Sequence, residues 1–377
     1  MDNPFAYSNY VSGKSFCNRE KEQKELLQYI ESSQNVLLYS HRRYGKSSLI
    51  LQVFENIKTT GLKIGTIHVD LYGTTSEKDF ITRTFQGLSQ IESNVERLLK
   101  RVTRAVKGVR FQVEVDPMTG NPTFSPSFES VKEDALLLDL MQVLNEYSSK
   151  KKLAVAFDEF QEIGTYSGEA FEKRLRSCIQ QQKNICYIFS GSQQHLLTEM
   201  FNTYSRAFYK QAASFPLKKI SADHYRSWAK ELFKENKIRL EDEFINYLVR
   251  KCENHPMYVQ QFLFFLWDAL EQAEPTLELI DEIESSILEK KSLEYMTLWE
   301  SLTLNQKKTL KLVILNEGKN LYSVDALKSV DLKTASLVTK TSSSLVKKDV
   351  LAKNGVYGIQ DVLFKRWIEH HILRSAK

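Results

Sequence analysis

The sequence has few of the features that mark secreted, membrane-spanning or metal-stabilised proteins. Its four cysteines form no CxxC pair and no cluster with histidine, so we expect neither a structural zinc site nor a disulfide framework. The densest apolar stretch, residues 262–267, is too short to span a bilayer. No basic segment followed by an apolar stretch opens the chain. We therefore expect a cytoplasmic protein that has no membrane partner.

Proline, glycine and excess charge are also scarce. Seven prolines and 14 glycines in 377 residues leave little room for long disordered or collagen-like tracts. The formal net charge of +5 does not by itself indicate a nucleic-acid-binding protein. The charge is unevenly distributed, however, because residues 291–377 contain 15 Lys and Arg but only 8 Asp and Glu. The length of 377 residues predicts two or three domains. The uneven charge marks a change in composition near residue 290.

Before that change, strand-like and helix-like stretches alternate, which is typical of an α/β domain. The predicted strands are short apolar runs without polar alternation, as expected of strands buried on both faces of a parallel sheet: residues 35–39, 63–70, 153–158, 185–190 and 215–218. Residues 110–128 read as a small hairpin inserted into this domain. Residues 221–290 are almost entirely helical in character.

The strongest sequence signal is a phosphate-binding loop between a predicted strand and a predicted helix. Gly45 allows the tight turn that aims backbone N–H groups at phosphate, and the following helix N-terminus adds partial positive charge. Lys46 is expected to reach the β- and γ-phosphates, and Ser47 to ligate Mg²⁺. Ser40 stands where the general pattern has its first glycine. The alternative is a chance Gly-Lys-Ser sequence at a strand–helix turn.

A second signal lies at the end of the strand over residues 153–158. Asp158 and Glu159 follow one another there, as in a Walker B strand. The first carboxylate is expected to hold Mg²⁺, and the second to act as general base for the attacking water. A surface acidic pair after a core strand is the alternative. Because both motifs occur in order within one α/β pattern, we predict nucleotide binding. Hydrolysis additionally needs an ordered water and usually an arginine.

With these motifs in place, the chain resembles the AAA+-related P-loop ATPases of the STAND type, close to the archaeal-type ATPases with a C-terminal winged helix. The resemblance rests on five segments: residues 16–20, 42–49, 188–192, 206–212 and 254–256. It implies an α/β fold with an AAA+-like parallel sheet, a helical lid and a C-terminal winged-helix domain. The implied domains are 1–220, 221–290 and 291–377.

The resemblance also implies the ligand, ATP with Mg²⁺, and a set of site residues. Ser192 would be the sensor at the end of a strand, Arg206 would sense the γ-phosphate, and Pro256 would belong to the lid. The residues expected to bind nucleotide, besides Pro256, are Arg19, Ser40, Arg42, Arg43, Tyr44, Gly45, Lys46, Ser47 and Ser48.

Each weaker member of this set has a simpler explanation. Ser190 and Ser192 could merely end a buried strand, and Arg206 could be an ordinary solvated arginine. Pro256 could simply begin a helix. Asn254 stands where the family has glycine, which leaves the lid contact open. Arg42 and Arg43 could likewise face an acidic surface instead of phosphate.

Residues 303–373 read as a winged helix. Helices are predicted over residues 305–316, 324–330 and 334–347, and a wing over residues 350–359, where an Asn-Gly turn joins two strands. The third helix is expected to turn Lys340, Thr341, Ser343 and Ser344 outward. Contact with duplex DNA is one interpretation. That face carries no Arg, Asn or Gln for bidentate base reading, so a lysine-rich docking surface is the alternative.

Three hypotheses follow. The first is an ATP-dependent switch or motor that hydrolyses ATP slowly. The second is a DNA-binding regulator in which nucleotide is a slowly exchanged structural ligand. The third is a nucleotide-gated interaction protein without useful turnover. The expected partners are ATP or ADP, duplex DNA through residues 303–373, and a protein partner or a second copy of the chain.

Overall fold

The computed structural model of the protein describes residues 3–91, 109–115, 122–128 and 133–373. The chain forms two compact units. One unit covers residues 10–218, and the other combines residues 3–9 with residues 219–373.

The first unit is built on a parallel sheet. Its strands, in chain order, are β1 (Val36–Tyr39), β2 (Ile64–Asp70), β3 (Val109–Val115), β4 (Pro122–Phe128), β5 (Lys152–Asp158), β6 (Ile185–Gly191) and β7 (Ala213–Pro216). Five of them form one sheet in the order β2-β5-β6-β1-β7, and every neighbouring pair in it is parallel. The predicted α/β fold with buried parallel strands is confirmed. This order brings the carboxyl ends of β5 and β6 next to the loop that follows β1.

Helices cover both faces of this sheet: α1 (Glu20–Glu31), α2 (Lys46–Thr59), α3 (Glu77–Gly87), α4 (Glu133–Ser148), α5 (Glu169–Gln180) and α6 (Gln194–Asn202), with 3₁₀ helices at Gly13–Ser15, Leu88–Gln90 and Phe160–Thr165. Alternate residues of a strand serve opposite cores. Val36 and Leu38 pack with α1 and α2, whereas Leu37 packs with α3 to α6. Both cores are apolar, and for this reason the central strands carry no polar alternation.

Strands β3 and β4 form an antiparallel pair outside the parallel sheet. They correspond to the hairpin predicted at residues 110–128, and residues 116–121 between them lie outside the described residues. Strand β4 lies against α3, so the pair belongs to the face of the sheet that α3 covers.

The second unit consists of a helical part and a winged helix. Its elements are α7 (Ala222–Glu235), α8 (Asp242–Lys251), α9 (Pro256–Ala269), α10 (Leu277–Glu300), α11 (Leu304–Leu315), α12 (Val324–Ser329), α13 (Ala335–Lys347), β8 (Leu351–Asn354), β9 (Val356–Ile359), α14 (Val362–Ile368) and a π-helix at Glu369–Leu373. Gly355, with a φ of +78°, makes the turn of the wing. Gly318 has a φ of +73°, and a Cβ there would lie 1.9 Å from the Tyr357 carbonyl oxygen. Only glycine therefore lets the wing approach the end of α11.

One predicted surface of the winged helix is wrong in part. Thr341 is buried, because its hydroxyl hydrogen-bonds to that of Thr309 on α11, 2.7 Å away. Ser344 is half-buried and accepts a hydrogen bond from Gln306. Helical periodicity alone cannot distinguish a small polar residue that faces solvent from one that pairs with a polar residue inside the core. The exposed face of α13 instead consists of Ala335, Ser336, Thr339, Lys340, Ser343 and Lys347.

Candidate functional site

The loop between β1 and α2 has the local structure that phosphate binding needs. Gly45 adopts a left-handed conformation with φ of +84°, and α2 begins at the next residue. Such a turn lets backbone N–H groups at the helix N-terminus face an anion. Tyr44 is buried, whereas Arg42 and Arg43 are exposed. The loop therefore places two exposed arginine side chains close to a helix N-terminus.

Lys46 is enclosed by this loop. Its Nζ donates to the carbonyl oxygen of His41, 3.3 Å away, and the hydroxyl of buried Ser40 donates to the same oxygen at 3.0 Å. Burial lowers the pKa of the Lys46 ammonium group, while the nearby carboxylates of Asp158 and Glu159 act to raise it. A cation that has lost its hydration gains most from an anionic ligand. A phosphate group fits this requirement.

Ser47 joins the start of α2 to the end of β5. Its hydroxyl donates a hydrogen bond to Oδ2 of Asp158. Nε2 of His68, on β2, lies 3.7 Å from the same oxygen. Burial opposes ionisation of Asp158, but the interactions with His68 and Ser47 and the charge of Lys46 outweigh it and lower the pKa of the carboxyl group to about 2. Asp158 is therefore an anion at neutral pH.

The oxygen atoms of Ser47 and Asp158 suit Mg²⁺, which prefers hard oxygen ligands and usually keeps several waters. Within the described part of the chain, no cluster of three or more His, Cys, Asp or Glu side chains could hold a metal ion. A Mg²⁺ ion bound by these two oxygen ligands would need phosphate and water to complete its coordination.

The carboxylate of Glu159 is held in place by Ser192, which directly follows the neighbouring strand β6. The backbone of Glu159 is left-handed, with φ of +51°. Its Oε2 accepts hydrogen bonds from the backbone N–H of Ser192 at 3.2 Å, from the Ser192 hydroxyl at 2.9 Å and from Nε2 of Gln161 at 2.5 Å. The hydroxyl of Ser190 is buried and makes no hydrogen bond to any described residue. Of the two serines considered, the structure brings Ser192 to the carboxylate.

Two residues expected to bind nucleotide make their described contacts with the protein chain. The guanidinium of Arg19, which is 4% exposed, donates to the carbonyl oxygens of Tyr44 at 3.2 Å and Lys218 at 2.7 Å. The hydroxyl of Ser48 accepts the backbone N–H of Val11 at 3.2 Å. Arg19 therefore supports the backbone of the phosphate loop, and Ser48 anchors the segment that precedes α1.

Arg206 lies between α6 and β7, in contact with two carboxylates. Its Nη2 pairs with Oε1 of Glu172 at 2.5 Å, and its Nη1 with Oε1 of Glu199 at 3.0 Å. Glu172 is fully buried, and burial raises the pKa of its carboxyl group although Arg206 acts to lower it. Arg206 is therefore no freely solvated arginine. Pro256 begins α9 in the other unit.

Sequence reasoning did not identify His68 or Gln161. His68 lies two residues before the end of β2, and the last residue of that strand, Asp70, is in register with Asp158. The available signal was the histidine itself, a titratable side chain between Ile67 and Val69 of β2. Gln161 follows Glu159 by two residues and is 3% exposed. A glutamine so close to an acidic pair at a strand end carries no established meaning in sequence alone.

No helix in the described ranges has both the length and the apolar composition needed to cross a membrane.

Comparisons with known proteins address the family and the fold. A family model described as an ATPase domain predominantly from Archaea matches residues 16–262, and one described as a probable winged helix domain matches residues 293–370. No curated protein sequence matches the chain.

The solved structures that resemble the chain over nearly its whole length include a Walker-type ATPase and an ORC2 protein. The Walker-type ATPase PABY2304 of Pyrococcus abyssi is 17% identical, with 97% of this chain and 99% of that chain covered and a TM-score of 0.68. The ORC2 protein of Aeropyrum pernix, solved as ADPNP–ADP complexes, is 12% identical, with 98% of each chain covered and a TM-score of 0.57. At these identities the likeness shows the fold. The family model, which matches more than half of the chain, establishes that the chain belongs to the family whose ATPase domain is found predominantly in Archaea, joined here to a winged-helix domain.

Proposed function

We propose that the protein binds ATP together with Mg²⁺, hydrolyses it slowly and uses the exchange between ATP and ADP as a conformational switch. One observation carries the proposal: the hydroxyl of Ser47 is hydrogen-bonded to the ionised carboxylate of Asp158 beside the desolvated ammonium of Lys46. Hydroxyl, carboxylate and ammonium are the groups that P-loop ATPases use to hold Mg²⁺ and the β- and γ-phosphates.

Each site residue has a role in this proposal. Lys46 contacts the β- and γ-phosphates, and Ser47 and Asp158 hold the metal ion. Glu159 accepts a proton from the attacking water, with Ser192 holding its carboxylate. Arg42 and Arg43, which are exposed, approach the phosphates once nucleotide is bound. Arg206 and Pro256 belong to the part of the site that responds to the triphosphate. The other proposed site residues form or support the phosphate loop: Arg19, Ser40, Tyr44, Gly45 and Ser48.

The proposal places the protein in the cytoplasm, where ATP is available. Its four cysteines are free thiols. A reducing compartment such as the cytoplasm keeps cysteines in the thiol form.

Contact between the winged helix and duplex DNA is a second candidate function. The observation that favours it is the exposure of three lysines on α13 and on strand β8 of the wing: Lys340, Lys347 and Lys353. Such cations can neutralise DNA phosphates without reading bases. A protein partner or a second copy of the chain with an acidic surface is the other occupant that this charge would suit.

Equilibrium titration with ATP, with and without Mg²⁺, tests the principal proposal. Lys46→Ala should abolish measurable binding under both conditions, because it removes the main cation that holds the phosphates. Ser47→Ala should weaken binding about tenfold with Mg²⁺ and leave binding without Mg²⁺ unchanged, because only a metal ligand is removed. Thr59→Ala, which removes an exposed hydroxyl at the far end of α2, is the matched control. Equal ATP affinities for Lys46→Ala and the wild type would remove the phosphate-loop assignment.

A further inference from the structure

Gln161 is a buried polar residue to which the proposed hydrolysis assigns no role. Its side chain reaches back to the residue two positions earlier, where Nε2 donates to Oε2 of Glu159. Phe160, between them, points into an aromatic cluster with Phe189 and Phe208. The left-handed backbone at Glu159 makes this arrangement possible, since it turns the chain sharply at the end of β5. Gln161 and Glu159 thereby lie on the same side of the turn.

The end of the neighbouring strand, β6, leaves space for the Gln161 side chain. A Cβ placed on Gly191, the last residue of β6, would lie 2.0 Å from Oε1 of Gln161 and 3.2 Å from its Cδ. The φ of Gly191 is not in the left-handed region, so the backbone itself does not require glycine. The added Cβ would also lie 3.0 Å from Cδ1 of Leu197, but the Gln161 side chain makes the closest approach and is the main physical reason for glycine at this position. Glu159 and Gln161 both meet the end of β6, at Ser192 and Gly191 respectively.

The two carboxylate oxygens of Glu159 differ in the number of hydrogen bonds that they accept from the protein. Gln161 Nε2, the Ser192 N–H and the Ser192 hydroxyl all donate to Oε2. No hydrogen bond from a described residue reaches Oε1. The terminal torsion of a glutamate is broad and roughly two-fold, so an unrestrained carboxylate would sample many orientations. Three donors on one oxygen select one of them and keep the other oxygen available.

We propose that Gln161 is a positioning residue that orients Glu159 for proton abstraction and that Gly191 provides the space it occupies. This inference rests on the proposed ATP hydrolysis. As the water oxygen bonds to the γ-phosphorus, one water proton passes to Oε1 of Glu159. The bond from the γ-phosphorus to its bridging oxygen breaks, and ADP leaves with that electron pair. The proton on Glu159 is then released to solvent. Gln161 neither gains nor loses a proton in this sequence.

Two independent substitutions test the inference. Gln161→Leu removes the hydrogen-bond donor at similar volume, and Gly191→Ala displaces the intact glutamine. Each should lower kcat about tenfold, a part of the 10²–10⁴-fold that a positioned base contributes, and leave ATP affinity unchanged. Gly164→Ala is the matched control, because a Cβ there meets no atom within 4 Å. If one of the two variants does not fold, as judged by circular dichroism, the other still decides the outcome.

Combined variants distinguish positioning from a general loss of structure. In the Gln161→Ala background, Gly191→Ala should cause little further loss of kcat, since the glutamine that it displaces is already absent and only a Leu197 methyl group, 3.0 Å from the added Cβ, must still shift. In the Glu159→Gln background, Gln161→Leu should have no effect. Additive losses in either pair overturn the inference, as does any increase in turnover, which would mean that Gln161 restrains the carboxylate.

Failure of the inference is distinguishable from failure of the proposed function. If Glu159→Gln loses turnover while Gln161→Leu and Gly191→Ala keep the wild-type rate, Gln161 has no positioning role but Glu159 remains the base. If Glu159→Gln itself keeps the wild-type rate, the assignment of the base is overturned, and the positioning role with it.

Discussion

At the scale of single residues, the candidate site places ionised groups out of water and next to one another. Asp158 illustrates the consequence. Its carboxyl group has a folded pKa of about 2, against a usual value of 3.8. A group whose pKa is depressed in the folded state stabilises that state above its unfolded pKa. This stabilisation is lost as the pH falls through the folded pKa.

We therefore predict that Asp158 contributes to stability at neutral pH and loses this contribution between about pH 4 and pH 2. The shift corresponds to about 2 kcal/mol. The difference in free energy of unfolding between wild type and Asp158→Asn should shrink by this amount across the window. Urea titrations at several pH values measure it, and Glu55→Gln, at an exposed position on α2, is the control. A difference in the free energy of unfolding that does not change with pH would contradict the depressed pKa of Asp158.

The sequence predicted some of these residues more readily than others, for a physical reason. The phosphate loop and the acidic pair at the end of β5 are local patterns, so their residue types and spacing indicate their chemistry. The contacts of Arg19 with the Tyr44 and Lys218 carbonyls, and of Gln161 with the end of β6, depend on which strands become neighbours. Spacing along the chain does not contain that information.

At the scale of elements, apolar runs located the sheet strands, and pairing decided where they begin and end. The strand predicted at residues 215–218 is observed as β7, Ala213–Pro216. It starts earlier because the Ala213 N–H donates to the Asn35 carbonyl at 2.8 Å, and because Ala213 pairs in register with Val36 of β1. The beginning of an edge strand is thus set by its partner as well as by its own hydrophobicity.

The acidic residue that precedes α14, Asp361, contacts more than one helix. Asp361 caps α14 by accepting the Phe364 N–H at 3.0 Å. Its carboxylate also accepts the hydroxyls of Tyr258 on α9, at 2.5 Å, and Tyr295 on α10, at 3.2 Å. One acidic residue thereby connects the last helix of the winged-helix part to two helices of the helical part within the second unit.

The exposed lysines of α13 allow a test of DNA binding. Lys340→Gln combined with Lys347→Gln should weaken binding of duplex DNA about tenfold at low salt and reduce the slope of log K against log salt by about 2, or about 1 for each DNA phosphate that a lysine neutralises. Fluorescence anisotropy over a salt series measures both quantities. Lys21→Gln with Lys24→Gln removes the same charge from exposed positions on α1. Equal losses in the two double variants, or no binding by the wild type, would exclude α13 as the DNA-binding element.

At the scale of the whole molecule, the switch hypothesis requires that the triphosphate and the diphosphate favour different conformations. A cation near the γ-phosphate can provide this difference, since only the triphosphate offers it the extra negative charge. Arg206 is the proposed cation, and in the structure its charge is already compensated by Glu172 and Glu199. A response to ATP would therefore require Arg206 to exchange at least one of these partners for phosphate.

We predict that ATP and ADP give different patterns of limited proteolysis over residues 215–305, which include the boundary between the two units along the chain, and that Arg206→Ala removes the difference while ADP affinity stays nearly unchanged. Turnover should fall as well, by an amount that reaches about 10³-fold where an arginine stabilises the transition state directly. Removing Arg206 alone also leaves Glu172 buried without its cation, which costs about 3–5 kcal/mol in comparable pairs.

The double variant Arg206→Ala with Glu172→Gln separates these two effects, because it removes the buried charge together with its partner. If the lost ATP–ADP difference reflects γ-phosphate sensing, the double variant should regain thermal stability but still digest identically with both nucleotides. Glu199→Gln, which removes only the exposed partner, should keep the difference. Recovery of the difference in the double variant would assign Arg206 a structural role, since stability alone would then explain its effect. A wild type that digests identically with ATP and ADP would leave no conformational difference for any residue to control, and the ATPase would then work without the proposed switch.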